Sequence, residues 1–211
     1  MVFHASALGR AVKGSLAVAV VSSFIACQSS GTDDPQARVR RGEYLVSVLA
    51  CDDCHSPKVF TDRGPAPDPA LRLSGHHGGP EVPVVPGGTL GPNRWGAITT
   101  NDMTAWVGPW GTTFAVNLTP HPDGLGLWTE DQFVQALRTG RHLGVGRPVL
   151  PPMPWPAYAH MPDEDLRSIF AFLRTLPPVA NVVPQPLPPV LAENAAPADA
   201  ERTNPTPNGR P

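Results

Sequence analysis

The segment Cys51-Asp52-Asp53-Cys54-His55 constrains this chain more than any other feature of its sequence. Two cysteines separated by two residues and followed at once by a histidine form the C-x-x-C-H pattern of c-type haem attachment. On one helical turn, positions three and four apart share a face, so both thiols can reach the vinyl groups of a porphyrin while the imidazole reaches the iron. We therefore predict one covalently bound haem c, with Cys51 and Cys54 as its thioether residues and His55 as an axial ligand of the iron.

Three other uses of a cysteine pair have less support in the sequence. A structural zinc site needs four ligands, but the only further cysteine is Cys27, and no second C-x-x-C or H-x-H completes a set. A thioredoxin-like dithiol lies in an alternating pattern of strands and helices, which this chain lacks. A disulfide between Cys51 and Cys54 would close a very small loop and constrain little of the unfolded chain.

The second axial ligand has to be chosen from several residues. Met153 lies in the segment Leu150-Pro151-Pro152-Met153-Pro154-Trp155-Pro156, where prolines fix the backbone and hold the thioether in a rigid loop. Met/His ligation is the pattern of electron-transfer cytochromes, so we predict Met153. The alternatives are Met103, Met161, His76, His77, His121, His142 and His160.

The N-terminus has the layout of an export signal. His4, Arg10 and Lys13 precede an apolar run that is too short to span a bilayer. The sequence Phe24-Ile25-Ala26-Cys27 resembles a bacterial lipoprotein box, although Phe24 stands where an aliphatic residue is usual. We predict a signal peptide over residues 1–26 and lipidation of Cys27, with cleavage without lipidation as the alternative. The mature protein is then expected on the periplasmic side of a bacterial membrane, held there by its lipid anchor.

Beyond this signal, the sequence predicts one folded domain with irregular additions. A polar tether over residues 27–33 leads to a domain at 34–183, in which residues 56–113 form a long insertion rich in Gly, Pro and Trp without regular periodicity. Residues 184–211 are expected to be a Pro-rich disordered tail. The chain has 16 basic and 18 acidic side chains and no basic stripe, so no nucleic acid partner is expected.

Three helices are predicted from caps, stop signals and apolar spacing. A good N-cap, a capping box and a run of acidic residues mark their starts, and glycine or proline marks the ends of the second and third. The predicted helices run from Asp34 to about Ala50, from Thr129 to Gly140, and along Leu166, Ile169, Phe170, Leu173 and Leu176 as far as Pro177.

Taken together, these segments resemble class I cytochrome c domains, in particular bacterial monohaem c-type cytochromes related to cytochrome subunits of periplasmic dehydrogenases. The resemblance covers about residues 41–182. Besides Cys51–His55, it rests on Arg41-Gly42-Glu43-Tyr44-Leu45, Asn117-Leu118-Thr119-Pro120, Leu127-Trp128-Thr129-Glu130-Asp131-Gln132-Phe133, Ala136-Leu137-Arg138-Thr139-Gly140-Arg141, Pro152-Met153-Pro154-Trp155 and Asp163-Glu164-Asp165-Leu166.

This resemblance implies an all-α fold whose first and last helices cross, with the iron between His55 and Met153. It implies an electron carrier rather than an enzyme, working with redox partners such as a dehydrogenase or an oxidase. With both axial positions filled, the iron is left with one-electron exchange. A haem enzyme or gas sensor and a module without haem are the alternatives. Arg138 and Arg141 are hypothesised to neutralise haem propionates, or else are cations at a helix end.

Overall fold

The computed structural model of the protein describes residues 34–189. The predicted signal peptide at 1–26, the tether with Cys27 at 27–33 and the tail beyond residue 189 lie outside the described residues. Within 34–189, no helix combines the length and apolar character needed to cross a membrane.

Helices and strands both contribute to the described part of the chain. The helices are α1 (Pro35–Val48), α2 (Cys51–His55), α3 (Glu130–Thr139), α4 (Trp155–Tyr158) and α5 (Asp163–Leu173). The strands are β1 (Lys58–Thr61), β2 (Gly64–Pro67), β3 (Ile98–Thr99), β4 (Ala105–Gly108) and β5 (Gly111–Phe114). β1 and β2 form one antiparallel sheet, and β3, β4 and β5 form a second in that order.

The prediction of an all-α fold is wrong, because the predicted insertion at 56–113 forms, together with Phe114, two small antiparallel sheets. The β1–β2 and β4–β5 hairpins each turn over two residues, and each closes on a glycine with positive φ: 105° at Gly64 and 103° at Gly111. Glycine adopts this backbone without a steric penalty. No strand within the described residues is longer than four residues, and such short strands are hard to recognise from alternation of apolar and polar residues.

The predicted caps position the helices. The side chain of Asp34 accepts a hydrogen bond of 2.9 Å from the backbone N–H of Gln36 at the start of α1. Thr129 and Gln132 form the reciprocal capping box of α3, which ends at Gly140 with φ of 62°. α1 ends at Val48 rather than near Ala50, because Ala50 has a left-handed backbone with φ of 56°. This break starts α2 in a new direction as a separate turn.

α1 and α5 pack closely where they meet, and Gly42 makes this possible. A Cβ atom at position 42 would lie 1.9 Å from the carbonyl oxygen of Ser168 and 2.8 Å from Cβ of Phe172. The fully buried side chains of Val46 and Leu166 belong to the same hydrophobic core. The contact between these helices therefore depends on a residue without a side chain.

Replacing Gly42 by alanine is expected to lower the free energy of unfolding by roughly 1–3 kcal/mol or more, as overpacking does. The obstacle is backbone rather than a flexible side chain, so the helices have to move apart. Urea denaturation measures the effect. Ser47→Ala, at an exposed position of the same helix, is the matched control and should change stability by no more than about 0.5 kcal/mol. Equal stability of the two variants would contradict this account of the crossing.

Candidate functional site

The predicted haem residues surround a cavity of about 610 Å³. Cys51, Cys54, His55 and Met153 all contribute to its walls. Cavities that hold small molecules and cofactors are typically about 300–1,000 Å³ and mostly apolar. Most of the remaining wall is apolar and includes Leu49, Phe114, Leu125, Trp128, Phe133, Leu137, Trp155, Ile169 and Leu173. The size and chemistry of this space fit a porphyrin.

The imidazole of His55 is buried and held in one orientation. Its Nδ1 lies 2.8 Å from the carbonyl oxygen of Val116. Because a carbonyl oxygen only accepts, Nδ1 must carry the proton, which leaves Nε2 with the lone pair of a metal ligand. Burial lowers the pKa of His55, although the hydrogen bond to Val116 opposes this shift. The neutral imidazole is the form that binds iron.

Side chains outside the motif hold the five-residue helix α2 in place. The ammonium group of Lys58 donates to the carbonyl oxygens of Asp52 and Asp53, each at 2.9 Å, and to that of Ser56. The carboxylate of Asp52 accepts from Ser56 Oγ at 2.7 Å and from Arg72 Nη2 at 2.9 Å. Sequence reasoning missed Lys58 and Arg72. A basic residue just after a helix is a known C-terminal capping signal and could have identified Lys58.

The two thiols are poorly suited to thiolate chemistry. Burial raises the pKa of Cys51 to about 12, and burial together with the neighbouring Asp53 raises that of Cys54. Redox-active dithiols instead have lowered thiol pKa values. Within residues 34–189, no three His, Cys, Asp or Glu side chains are grouped as they would be around a metal ion. The structure therefore gives no support to the redox and zinc alternatives in this part of the chain.

The loop that carries Met153 is fixed from two sides. Thr113 in β5 is buried, and its hydroxyl donates to the carbonyl oxygen of Pro151 at 2.8 Å. On the other side, the indole of Trp155 lies against Gly140, where a Cβ atom would come within 2.2 Å of Trp155 Cε2. Sequence reasoning missed Thr113, which lies 38 positions before its partner.

The cavity reduces the choice of a second axial ligand. Met103 and His142 line it in addition to Met153, so all three remain geometrically possible. Met161 packs against the hydrophobic core. The remaining sequence candidates, His76, His77, His121 and His160, are not among the residues that line the cavity.

Neither arginine proposed from sequence for the propionates lines the cavity. Arg138 donates to the carbonyl oxygen of Met161 at 2.6 Å and pairs with Asp163, so it fixes the start of α5. Arg141 donates to the carbonyl oxygen of Gly146 at 3.0 Å. Arg147 does line the cavity, and sequence reasoning missed it.

The described beginning of the predicted tail, residues 184–189, is ordered against the insertion. Leu187 exchanges two backbone hydrogen bonds of 2.9 Å with Thr112 in β5. Pro184 and Pro186 also line the cavity. Residues 184–186 therefore form part of the cavity wall, and Leu187 pairs with β5.

Comparison with known proteins gives an independent result. No protein-family model matches the chain. The alcohol dehydrogenase (quinone) cytochrome c subunit of Gluconobacter oxydans is 29% identical over 160 residues, which are 75% of this chain and 25% of that protein. The gluconate 2-dehydrogenase cytochrome c subunit of Pantoea cypripedii is 30% identical over 172 residues, covering 78% of this chain and 30% of that protein. The fructose dehydrogenase cytochrome subunit of Gluconobacter japonicus is 38% identical over 68 residues, covering 32% of this chain and 14% of that protein.

The chain spans only about a quarter to a third of the length of the first two relatives. The matched region nevertheless covers at least three quarters of this chain. Its own C-x-x-C-H residues border an apolar cavity of suitable size. Site and similarity lead to one assignment: the chain is a c-type cytochrome related to the cytochrome c subunits of dehydrogenases.

Proposed function

We propose that this protein is a monohaem electron carrier that accepts single electrons from a dehydrogenase and passes them to a further redox protein. The single C-x-x-C-H motif of the sequence supports one haem. The observation that carries the proposal is that His55, with its Nδ1 bound by the Val116 carbonyl, and Met153 line the same apolar cavity. An imidazole and a thioether are the ligand pair of electron-transfer cytochromes.

The protein contributes attachment, orientation and exclusion of water. Cys51 and Cys54 would hold the haem covalently, and His55 and Met153 would fill its axial positions. When bound, the haem supplies one-electron exchange between ferric and ferrous iron, and two protein ligands leave no position for a substrate. A thioether ligand and apolar walls such as Phe133 and Leu173 favour the ferrous state. We therefore expect a high reduction potential and no catalytic turnover by this chain alone.

The partner and location follow from the relatives and from the N-terminal sequence. The three relatives are named as cytochrome subunits of dehydrogenases, which supports a dehydrogenase as the electron donor. The predicted signal peptide and the predicted lipidation site Cys27 support an exported protein, anchored by lipid on the periplasmic side of a bacterial membrane.

Spectroelectrochemistry of the protein matured in a cytochrome-assembling host tests this function. We expect a single Nernstian transition of one electron per chain and, in the ferric state, the charge-transfer band of methionine-bound iron. Both follow from one low-spin haem with a sulfur ligand. A two-electron transition, or a high-spin spectrum with rapid binding of carbon monoxide after reduction, would contradict the proposal. The second result would favour a haem enzyme or gas sensor.

A further inference from the structure

Arg147 differs from the other cationic side chains of residues 34–189 in its position at the cavity. It is the single arginine or lysine among the residues that line the cavity. Its guanidinium makes one long hydrogen bond of 3.4 Å, to the carbonyl oxygen of Pro148, and no carboxylate of residues 34–189 forms a salt bridge with it. Arg147 is exposed, and partial burial of its guanidinium lowers the pKa of Arg147. The guanidinium is therefore accessible to a ligand in the cavity, and no carboxylate of the described chain competes for it.

Six other arginines of the described residues do pair with an acid. Each of the following arginines pairs with the carboxylate of one or more acidic residues: Arg38, Arg40, Arg41, Arg72, Arg138 and Arg167. Arg63, Arg94, Arg141 and Arg174 also form no salt bridge within residues 34–189, but none of them lines the cavity. Arg147 is thus the described arginine that is both without an acidic partner and in the cavity wall.

The loop of residues 141–148 holds Arg147 at the cavity. The backbone N–H of His142 donates to the carbonyl oxygen of Arg147 at 2.9 Å, which closes the loop across its base. The hydroxyl of Thr139 donates to the carbonyl oxygen of Gly144 at 3.0 Å and so fixes the loop to α3. The backbone of Arg147 is therefore held beside the cavity by hydrogen bonds within the domain.

The charged residues of the cavity wall favour Arg147 as the contact for an anionic group. Asp53 and Asp123 also line the cavity and would repel a carboxylate. A planar guanidinium binds carboxylates through two parallel hydrogen bonds.

We propose that Arg147 binds a propionate carboxylate of the haem and thereby raises the reduction potential of the iron. This inference rests on the proposed function, because it takes haem as the ligand of the cavity. A fixed positive charge disfavours the additional charge of ferric iron and so favours the ferrous state. The role predicted from sequence for Arg138 and Arg141 is thus assigned to a residue six positions after Arg141 in the same loop.

The experiment compares three variants of the full-length holoprotein: Arg147→Gln, Arg147→Lys and Arg141→Gln. We expect Arg147→Gln to reduce the ratio of ferrous to ferric protein at a fixed applied potential roughly three- to tenfold, where tenfold is about 59 mV for one electron. The propionate-bending bands of the resonance Raman spectrum should shift as well. Arg147→Lys should keep most of the potential but shift the bands, because lysine keeps the charge and loses the bidentate geometry.

Arg141→Gln is the matched control, since it removes a cation from the same loop outside the cavity wall. It should change neither the potential nor the Raman bands. An Arg147→Gln holoprotein with unchanged potential and bands, or equal shifts in both glutamine variants, would overturn the inference and leave the proposed function intact. If Arg147→Gln does not fold, unchanged Raman bands in Arg147→Lys would overturn it. Absence of covalent haem from the unaltered protein would instead refute the proposed function.

Discussion

Replacing Met153 by alanine is expected to lower the midpoint reduction potential by on the order of 0.1 V or more, because axial ligands set haem potentials over a span of about 0.8 V. The thioether is a soft, neutral ligand that favours ferrous iron, and alanine offers no replacement. The loop itself should stay in place, since the hydrogen bond from Thr113 and the contact of Trp155 do not involve the Met153 side chain. The open position should then bind carbon monoxide rapidly in the reduced protein, which absorption spectroscopy measures.

Met103→Ala is the control for this variant, because Met103 lines the same cavity. If Met153 is the ligand, Met103→Ala should keep the low-spin spectrum and bind carbon monoxide slowly. His142→Ala tests the remaining cavity-lining alternative in the same way. The ligand assignment is wrong if Met153→Ala keeps the low-spin spectrum and binds carbon monoxide slowly while Met103→Ala or His142→Ala binds it rapidly.

Replacing both Cys51 and Cys54 by alanine is expected to abolish covalent retention of haem. The two thiols belong to one five-residue helix and face the same cavity, and the sequence offers no other C-x-x-C-H motif. Extraction into acidified organic solvent should remove essentially all haem from the double variant. Each single variant should retain some haem through its remaining thioether. Haem that resists extraction from the double variant would contradict the assignment of the attachment residues.

Features that depend on neighbouring residues could be predicted from the sequence. The starts of α1 and α3 and the end of α3 follow from Asp34, the Thr129–Gln132 capping box and Gly140, because caps act within one helical turn. The C-x-x-C-H motif is equally local: its three predicted haem-binding side chains lie within one five-residue helix.

Features that depend on distant parts of the chain could not be predicted from the sequence. The sheets of the insertion consist of strands of two to four residues, whose pairing is set by tertiary contacts more than by local preference. The carbonyl that orients His55 belongs to Val116, 61 positions away. No local pattern marks that carbonyl, because every residue has one. Arg147 was missed for a similar reason: its importance comes from its place at the cavity and from the lack of a carboxylate beside it among the described residues.

The intact mass of the protein under denaturing conditions, after maturation in a cytochrome-assembling host, tests the central claim most directly. Denaturation removes haem that is held only by the fold and by axial ligands, whereas thioether bonds survive. We predict the mass of the processed chain plus one haem. A chain without added haem mass, or with more than one haem, would contradict the account.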